Sequence, residues 1–306
     1  MQANLLHVVT AIANPLRWES RLRLYRQFEW HMLESGVQLT TVEVAYGDRP
    51  FACAGTPGVN HVGLRSRTMI WNKESALNAG IGRLPQDWKY VAWVDADVIF
   101  RRHDWAAEMV EALQLYDVVQ PWTHCYDLGP AGEHLQVHTA FAWLVQQGRP
   151  IRPTGGAGYE FGHPGYAWAA TRGALEHVGG LIEGAMGAGD HHMALALIGR
   201  VRESVPGDAH PGYVAPLVRW QERAQRHIGG NLGVVPGTIE HLWHGPKAAR
   251  GYVSRWGILT KHGFDPATDL KRNVWGLPEL AGNKPELRRD IERYFRSRVE
   301  DSNAVG

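Results

Sequence analysis

Asp95-Ala96-Asp97 closes the apolar run Tyr90-Val91-Ala92-Trp93-Val94 and is followed by Val98-Ile99-Phe100. A run of this length and composition reads as a buried strand. Two unpaired carboxylates at its end carry a desolvation cost that a cation would offset. Hard oxygen ligands suit Mg2+ or Mn2+. A metal at a strand end of an α/β chain points to a diphosphate ligand and so to nucleotide-sugar chemistry. A turn bearing solvated acids is the plainer alternative, and Asp-x-Asp alone is a weak pattern.

Three further clusters carry chemistry. In Gly184-Ala185-Met186-Gly187-Ala188-Gly189-Asp190-His191-His192 a Gly-rich loop delivers one carboxylate ahead of an apolar helix. Asp190 reads either as that helix's N-cap or as a general base for a hydroxyl. In His241-Leu242-Trp243-His244 the imidazoles stand three residues apart. They converge on one metal if the chain turns there, and neutral imidazole suits Mn2+ or Zn2+; a hydrogen-bonded histidine pair is the other reading. In the segment Trp71 to Ile81, Ala76, Leu77 and Ile81 would pack on a sheet while Lys73 and Asn78 face a ligand. Lys73, Arg65 and Arg67 suit phosphate contact, with a solvated helix face as the alternative for Lys73.

The elements that must position these groups follow from apolar spacing. Leu5 to Ile12 reads as a first strand stopped by Asn14-Pro15. Trp18 to Leu33 has helical spacing and Gly36 after it. Val37 to Ala45 reads as a strand, Met69 to Gly80 as a helix, Tyr90 to Val98 as a strand, Trp105 to Leu115 as a helix, and Asp117 to Pro121 as a short strand. This alternation predicts a mainly parallel sheet with helices on both faces. Residues 122 to 165, rich in Gly, Pro, His and aromatics, read as a long functional loop. Leu175 to Val178 and Met193 to Ile198 read as short helices, and Lys284 to Val299 as an amphipathic, Arg-rich one. The expected division is a catalytic domain over 1–250, with a donor half at about 1–121 and an acceptor half at about 122–250, and a C-terminal helical extension over 251–306.

Composition narrows the class. The 306 residues are 44% hydrophobic, enough for a sizeable core. With 32 basic and 31 acidic side chains, the net charge of +1 gives no global field toward nucleic acid or membrane. No stretch reaches the roughly 18 apolar residues of a membrane span. The N-terminus lacks a basic signal-peptide region, and Cys53 and Cys125 read as free thiols, so a cytoplasmic protein is expected. Sixteen His, 13 Trp and 35 Gly suggest loops with aromatic platforms, although most of the Trp belong in a core.

Taken in order over residues 5 to 250, these clusters resemble the GT-A fold glycosyltransferases, nearest in layout to the β-1,4-galactosyltransferase-like group. Trp71-Asn72-Lys73…Leu77-Asn78-Ala79-Gly80 is similar to that group's Phe-Asn-Arg helix, and Asp95-Ala96-Asp97 to its Asp-Val-Asp motif. Gly162-His163-Pro164-Gly165-Tyr166-Ala167-Trp168…Val178-Gly179-Gly180-Leu181 resembles its acceptor segment. Gly187-Ala188-Gly189-Asp190-His191-His192 resembles its Gly-Gly-Glu-Asp-Asp-Asp loop, and His241-x-x-His244 its Met-x-x-His metal pair.

The resemblance implies a mainly parallel α/β fold and an inverting, metal-dependent transfer from a UDP-sugar. It puts Mn2+ (or Mg2+) on Asp97, His241 and His244, and the base on Asp190. Asp95 is left for ribose or a metal-bound water. Donor contacts are expected from Thr10, Ala11, Asn14, Arg17, Glu43, Arg65, Lys73, Asn78, Asp95 and Ala96. Acceptor contacts are expected from Trp122, Gly165, Tyr166, Trp168 and His191. Departures are Gly189 for a Glu, His191 and His192 for two acids, and His241 for a Met. They leave the acceptor open and harden the metal site. His-Leu-Trp-His-Gly is also similar to phage-type glycosyltransferases, some of which modify hydroxymethylated DNA bases; a phage-encoded enzyme would then work in the host cytoplasm. Lys247, Arg250, Arg255, Lys261, Arg288, Arg289, Arg293, Arg296 and Arg298 would supply a DNA-facing surface, or merely a solvated one. A metal-dependent nucleotide-sugar hydrolase and a non-catalytic sugar-binding module are the readings from other classes.

Overall fold

Eight residues, Leu6–Ala13, form the central strand β1, and all but the last few are fully buried because helices cover both faces. The structure is a computed structural model and describes residues 3–152, 162–252 and 254–305. After β1 come α1 (Glu19–Glu34), β2 (Gln38–Tyr46), β3 (Val59–Ser66), α2 (Lys73–Ile81) and β4 (Tyr90–Val94). β1 pairs in parallel with β2 on one side and with β4 on the other, and β2 pairs in parallel with β3. The chain thus winds outward to β3 and then returns across β1 to β4. The crevice at the carboxyl ends of β1 and β4 is the switch point at which open α/β sheets bind ligands.

The run from Tyr90 to Val98 is not one strand. The ladder ends at Val94, Asp95-Ala96-Asp97 turn, with Val98 N–H donating to Asp95 O at 3.2 Å, and β5 (Val98–Phe100) leaves in a new direction. Phe100 stacks on Trp105 at the start of α3 (Trp105–Ala112), ring centroids 3.9 Å apart. Next come β6 (Val118–Gln120), β7 (His124–Leu128), β8 (His134–Thr139) and α4 (Phe141–Gln146). The expected loop over 122–165 is therefore largely a hairpin and a helix. Alternation of histidine with Leu, Gln and Val in β8 hides its strand pattern. Residues 153–161 of that segment lie outside the described ones.

β9 (Ala167–Thr171), α5 (Arg172–Val178) and α6 (Gly189–Leu197) follow, then α7 (Pro211–His227), β10 (Leu232–Val234) and β11 (Thr238–His241). β9 is antiparallel to both β4 and β6, and β6 is parallel to β10. The large sheet reads β10-β6-β9-β4-β1-β2-β3, mainly parallel and helix-covered as expected. Neither β3 nor α7 stands out in the sequence. β3 is interrupted by Asn60, His61 and Gly63, and α7 carries Pro216 internally and buries only Tyr213, Leu217, Trp220 and Ala224. A second sheet, β5-β11-β7-β8, sets His241 opposite Val98 on one side and Asp127 on the other.

The C-terminal part is not purely helical. α8 (Trp256–Lys261), α9 (Pro266–Asp269) and α10 (Pro285–Arg296) flank a small hairpin of β12 (Leu270–Arg272) and β13 (Pro278–Leu280). Leu287, Ile291, Tyr294 and Phe295 of α10 are buried. Beyond it the chain returns to α1. Asp301 accepts from the backbone N–H groups of Glu19 and Ser20 at 3.1 and 2.8 Å, capping that helix, and Glu300 accepts from Arg21 at 2.5 Å. No described helix is long and apolar enough to cross a membrane.

Candidate active site

A cavity of about 750 Å³ opens at the carboxyl ends of β1 and β4. It is lined by Ala11, Lys73, Asp95, Ala96, Asp97, Gly165, Tyr166, Asp190, His191, His241 and His244, eleven of the residues expected from sequence. Six cationic side chains (Arg21, Lys73, Lys247, Arg250, Arg255, Arg298) face four carboxylates (Asp95, Asp97, Asp190, Glu203) in the lining. That balance suits an anionic ligand.

On one side the Asp97 carboxylate meets two imidazoles. Its Oδ2 lies 3.2 Å from His244 Nε2 and 3.8 Å from His241 Nε2, the two ring nitrogens are 3.3 Å apart, and Asp97 Oδ1 is buried without a hydrogen-bond partner among the described residues. The turn that ends β4 brings Asp97 here, held by Leu242 N–H donating to Asp97 O at 2.9 Å. Ladder pairing supplies His241 from the end of β11. This donor set, one carboxylate oxygen and two imidazole nitrogens mutually within 4.8 Å, fits a divalent metal.

Asp127 stands behind His241. Its Oδ1 accepts from His241 Nδ1 at 2.7 Å and from the Tyr166 hydroxyl at 2.9 Å, and its other oxygen meets His138 at 2.5 Å and Lys247 Nζ. Burial alone would raise the Asp127 pKa, but the bonds from His138, His241 and Lys247 outweigh it and hold the group far below the usual carboxylate range. As an ionised acceptor, Asp127 fixes the proton of His241 on Nδ1 and leaves the Nε2 lone pair facing Asp97. Nothing in the sequence around Asp127 marks it; only the β7–β11 register reveals it.

The opposite side is organised by a lysine. Lys73, the first residue of α2, places Nζ 2.6 Å from Asp95 Oδ1 and 2.9 Å from Asp190 Oδ2. Burial, with the nearby Asp190 and Asp97 charges, raises the Asp95 pKa to about 6 against the opposing pull of Lys73. Glu74 behind them is pushed up to about 8 by burial. Asp190 is not an N-cap. Ala188 holds that position, without a side-chain bond, and Asp190 sits in the first turn of α6 with its carboxylate on Lys73. Gly189 permits this packing, since a Cβ there would lie 2.5 Å from the Glu74 carboxylate. Tyr166, beside the cavity, takes a left-handed backbone (φ 75°) and stacks on His163 at 4.2 Å. A non-glycine residue in that region is strained.

The remaining expected contacts do not line the cavity. Thr10 donates to Val94 O at 2.7 Å and ties the two central strands together. Asn14 folds back on the backbone of Trp18, and Arg17 occupies a left-handed turn. Glu43 accepts from Ala52 and Cys53 N–H and contacts His61. Arg65 donates to the carbonyls of Gly47 and Arg49. Asn78 bonds the backbone of Leu181 in both directions. Trp122 and Trp168 are fully buried core side chains, the latter donating to Pro164 O. Apart from Arg17, each of these side chains is engaged within the fold by the bonds or burial just described, which spacing alone cannot show.

Other lining groups come from parts of the chain whose sequence gives them no motif. Arg250 and Arg255 are each 7% exposed, and the Nε of each lacks a hydrogen-bond partner among the described residues. Arg250 Nη1 donates to the Tyr252 hydroxyl at 3.2 Å, and Arg255 Nη2 to Gly187 O at 2.6 Å. Arg298 is buried over Trp71 and bonded to Glu300. Several tail cations are paired with acids: Arg288 with Glu292, Arg289 with Glu286, and Arg293 and Lys261 with Asp290.

No family model matches the sequence, and no curated protein matches it. Among solved structures, the chain is similar to Drosophila β1,4-galactosyltransferase 7, crystallised as a mutant with manganese, UDP-Gal and xylobiose: 13% identity, TM-score 0.35, over 65% of this chain and 61% of that one. It therefore spans less than two thirds of that protein. It is also similar to glucosyl-3-phosphoglycerate synthase from Mycobacterium tuberculosis with Mg2+ and UDP (14%, TM-score 0.37, 84% and 76% coverage). A nucleotide-diphospho-sugar transferase, so described provisionally, from Desulfovibrio desulfuricans G20 matches over 96% and 98% (10%, TM-score 0.35).

Proposed function

We propose that this protein is a GT-A type, divalent-metal-dependent, inverting glycosyltransferase that moves a sugar from a UDP-sugar to an acceptor hydroxyl. The observation that carries it is one cavity at the sheet's switch point with a carboxylate–bis-imidazole set on one side and the Lys73–Asp190 pair on the other. Asp97, His241 and His244 would hold Mn2+ or Mg2+, which when bound offsets charge developing on the departing diphosphate. Arg250 and Arg255, buried with donors to spare, suit the same anionic oxygens. Donor binding then belongs chiefly to residues 1–121 and acceptor binding chiefly to 122–250.

Lys73 holds one oxygen of Asp190, which fixes the carboxylate and leaves the other oxygen for the acceptor O–H. Gly165 lines the same cavity and packs against His163, whose Cε1 would lie 3.0 Å from a Cβ there. As the acceptor oxygen bonds to the anomeric carbon, the bond from that carbon to the diphosphate breaks and the hydroxyl proton passes to Asp190. A single displacement of this kind inverts the anomeric centre. The cavity volume lies within the usual range for small-molecule sites, so a DNA acceptor would have to present a flipped base. The paired tail arginines weaken the case for a duplex-binding face.

UDP release should be screened across UDP-sugars, with and without Mn2+, against saccharides and hydroxymethylated DNA. We expect acceptor-dependent release that Asp190→Asn lowers by about 10²- to 10⁴-fold with UDP and Mn2+ binding retained. Release at one rate with or without every acceptor would make the protein a hydrolase instead.

A further inference from the structure

The two imidazoles of the candidate metal set are not supported alike. His241 Nδ1 donates to Asp127 at 2.7 Å, which points its Nε2 lone pair inward. His244 Nε2 faces two acceptors, Asp97 Oδ2 at 3.2 Å and His241 Nε2 at 3.3 Å, so without a metal it carries the ring proton there. Its Nδ1 is buried with no hydrogen-bond partner among the described residues, and Glu300 Oε2 lies 3.9 Å from it. A ring in that tautomer cannot give Nε2 to a cation.

Glu300 itself is firmly held. It is 1% exposed, accepts from Arg21 Nε at 2.5 Å and Nη2 at 2.8 Å, and accepts from Arg298 Nε at 2.6 Å. Ser20 Oγ donates to its carbonyl at 3.1 Å, and Trp243 donates to Ser302 O at 2.8 Å. The residue after His244 is Gly245, at φ 87°, where a Cβ would stand 2.8 Å from Val299 O and 2.9 Å from Glu300 Cα. The chain around His244 is thus shaped to let residues 299 and 300 press against it.

We infer that Glu300 is the positioning carboxylate for His244, matching Asp127 for His241. On metal binding it receives the Nδ1–H of His244 and so frees Nε2 for the cation. The proton lost from Nε2 is balanced by the one gained at Nδ1, and the ring stays neutral. This inference rests on the metal-dependent reading above. It gives the C-terminal segment a role in metal affinity that no motif announces.

The test uses the full chain and Mn2+ alone, with free Mn2+ followed by electron paramagnetic resonance. Glu300→Gln should weaken Mn2+ binding by about tenfold or more, and Glu300→Asp, which keeps the charge beside Arg21 and Arg298 but shortens the reach, should weaken it by less. Asp301→Asn, which loosens the cap on α1 without touching Glu300, should leave Mn2+ affinity within about twofold of wild type, a spread too small to matter on a tenfold scale. In the unmodified protein, nitrogen-15 spectra of labelled histidine should show the His244 proton move from Nε2 to Nδ1 on adding Mg2+. Wild-type affinity in both Glu300 variants, equal loss in Asp301→Asn, or a proton that stays on Nε2 would each overturn the role of Glu300 while sparing the metal site. Failure of the unmodified protein to bind Mn2+ would overturn both.

Discussion

The two sides of the cavity treat buried carboxylates in opposite ways. Asp97 meets only imidazoles and keeps one oxygen without a partner, whereas Asp95 and Asp190 share Lys73. The first brings one carboxylate oxygen and two imidazole nitrogens within 4.8 Å of one another. The second already contains a cation, with Lys73 shared between two carboxylates. On the function proposed above, this difference in charge compensation separates a metal-binding side from one that holds a proton acceptor in place.

That contrast is broken most severely at Asp97. Replacing it by Ala removes the only carboxylate from the metal set, and Mn2+-stimulated turnover should fall by about 10³-fold or more, because the cation supplies several kcal/mol. Calorimetric Mn2+ titration should lose its signal, and an unchanged isotherm would exclude ligation by Asp97. On the lysine side the expected effect falls on stability. Lys73→Met leaves Asp95 and Asp190 facing each other uncompensated and should cost roughly 3 kcal/mol in urea unfolding at pH 7. Adding Asp95→Asn should recover much of it; an equal loss in both variants would mean that the Lys73 stem, not its charge, matters.

A smaller effect concerns imidazoles that serve neither side. Burial lowers the pKa of His192 to about 3, where it bonds Ser204 and Tyr213, and that of His31 to about 4, where it accepts from Phe100 N–H. The unfolded chain protonates both near 6.5. Below that pH it binds more protons than the fold, so stability is present above 6.5 and is lost as pH falls through the window down to 3–4. Each histidine should contribute about 1.4 kcal/mol per pH unit. His31→Gln should flatten the acid limb of a stability–pH curve by about that slope, and an unaltered curve would remove His31 from the account.

The sequence was most informative where chemistry sits on strongly periodic elements. β1, β2 and β4 are apolar enough to read directly; Asp97 follows β4, Asp190 stands beside a glycine-rich turn, and His241 and His244 are marked by their three-residue spacing. What escaped reading depends on pairing across distance. Asp127 matters because β7 lies beside β11, and Glu300 because the chain returns to α1; neither neighbour can be inferred from local pattern. Trp122, Trp168, Glu43 and Arg65 carry binding-type side chains, and the same dependence on pairing across distance sets them in burial or hydrogen bonds away from the cavity lining.

The link between Arg21 and Glu300 joins residues 279 positions apart. Contacts of such separation are costly to close and form late. β1, β2 and β4 can pair early from neighbouring stretches, but the wall of the cavity beside His244 waits for residues 298–301. During synthesis the sheet would therefore be in place before the catalytic centre is finished. Conditions that slow the last docking step should accumulate a folded, inactive species rather than an unfolded one.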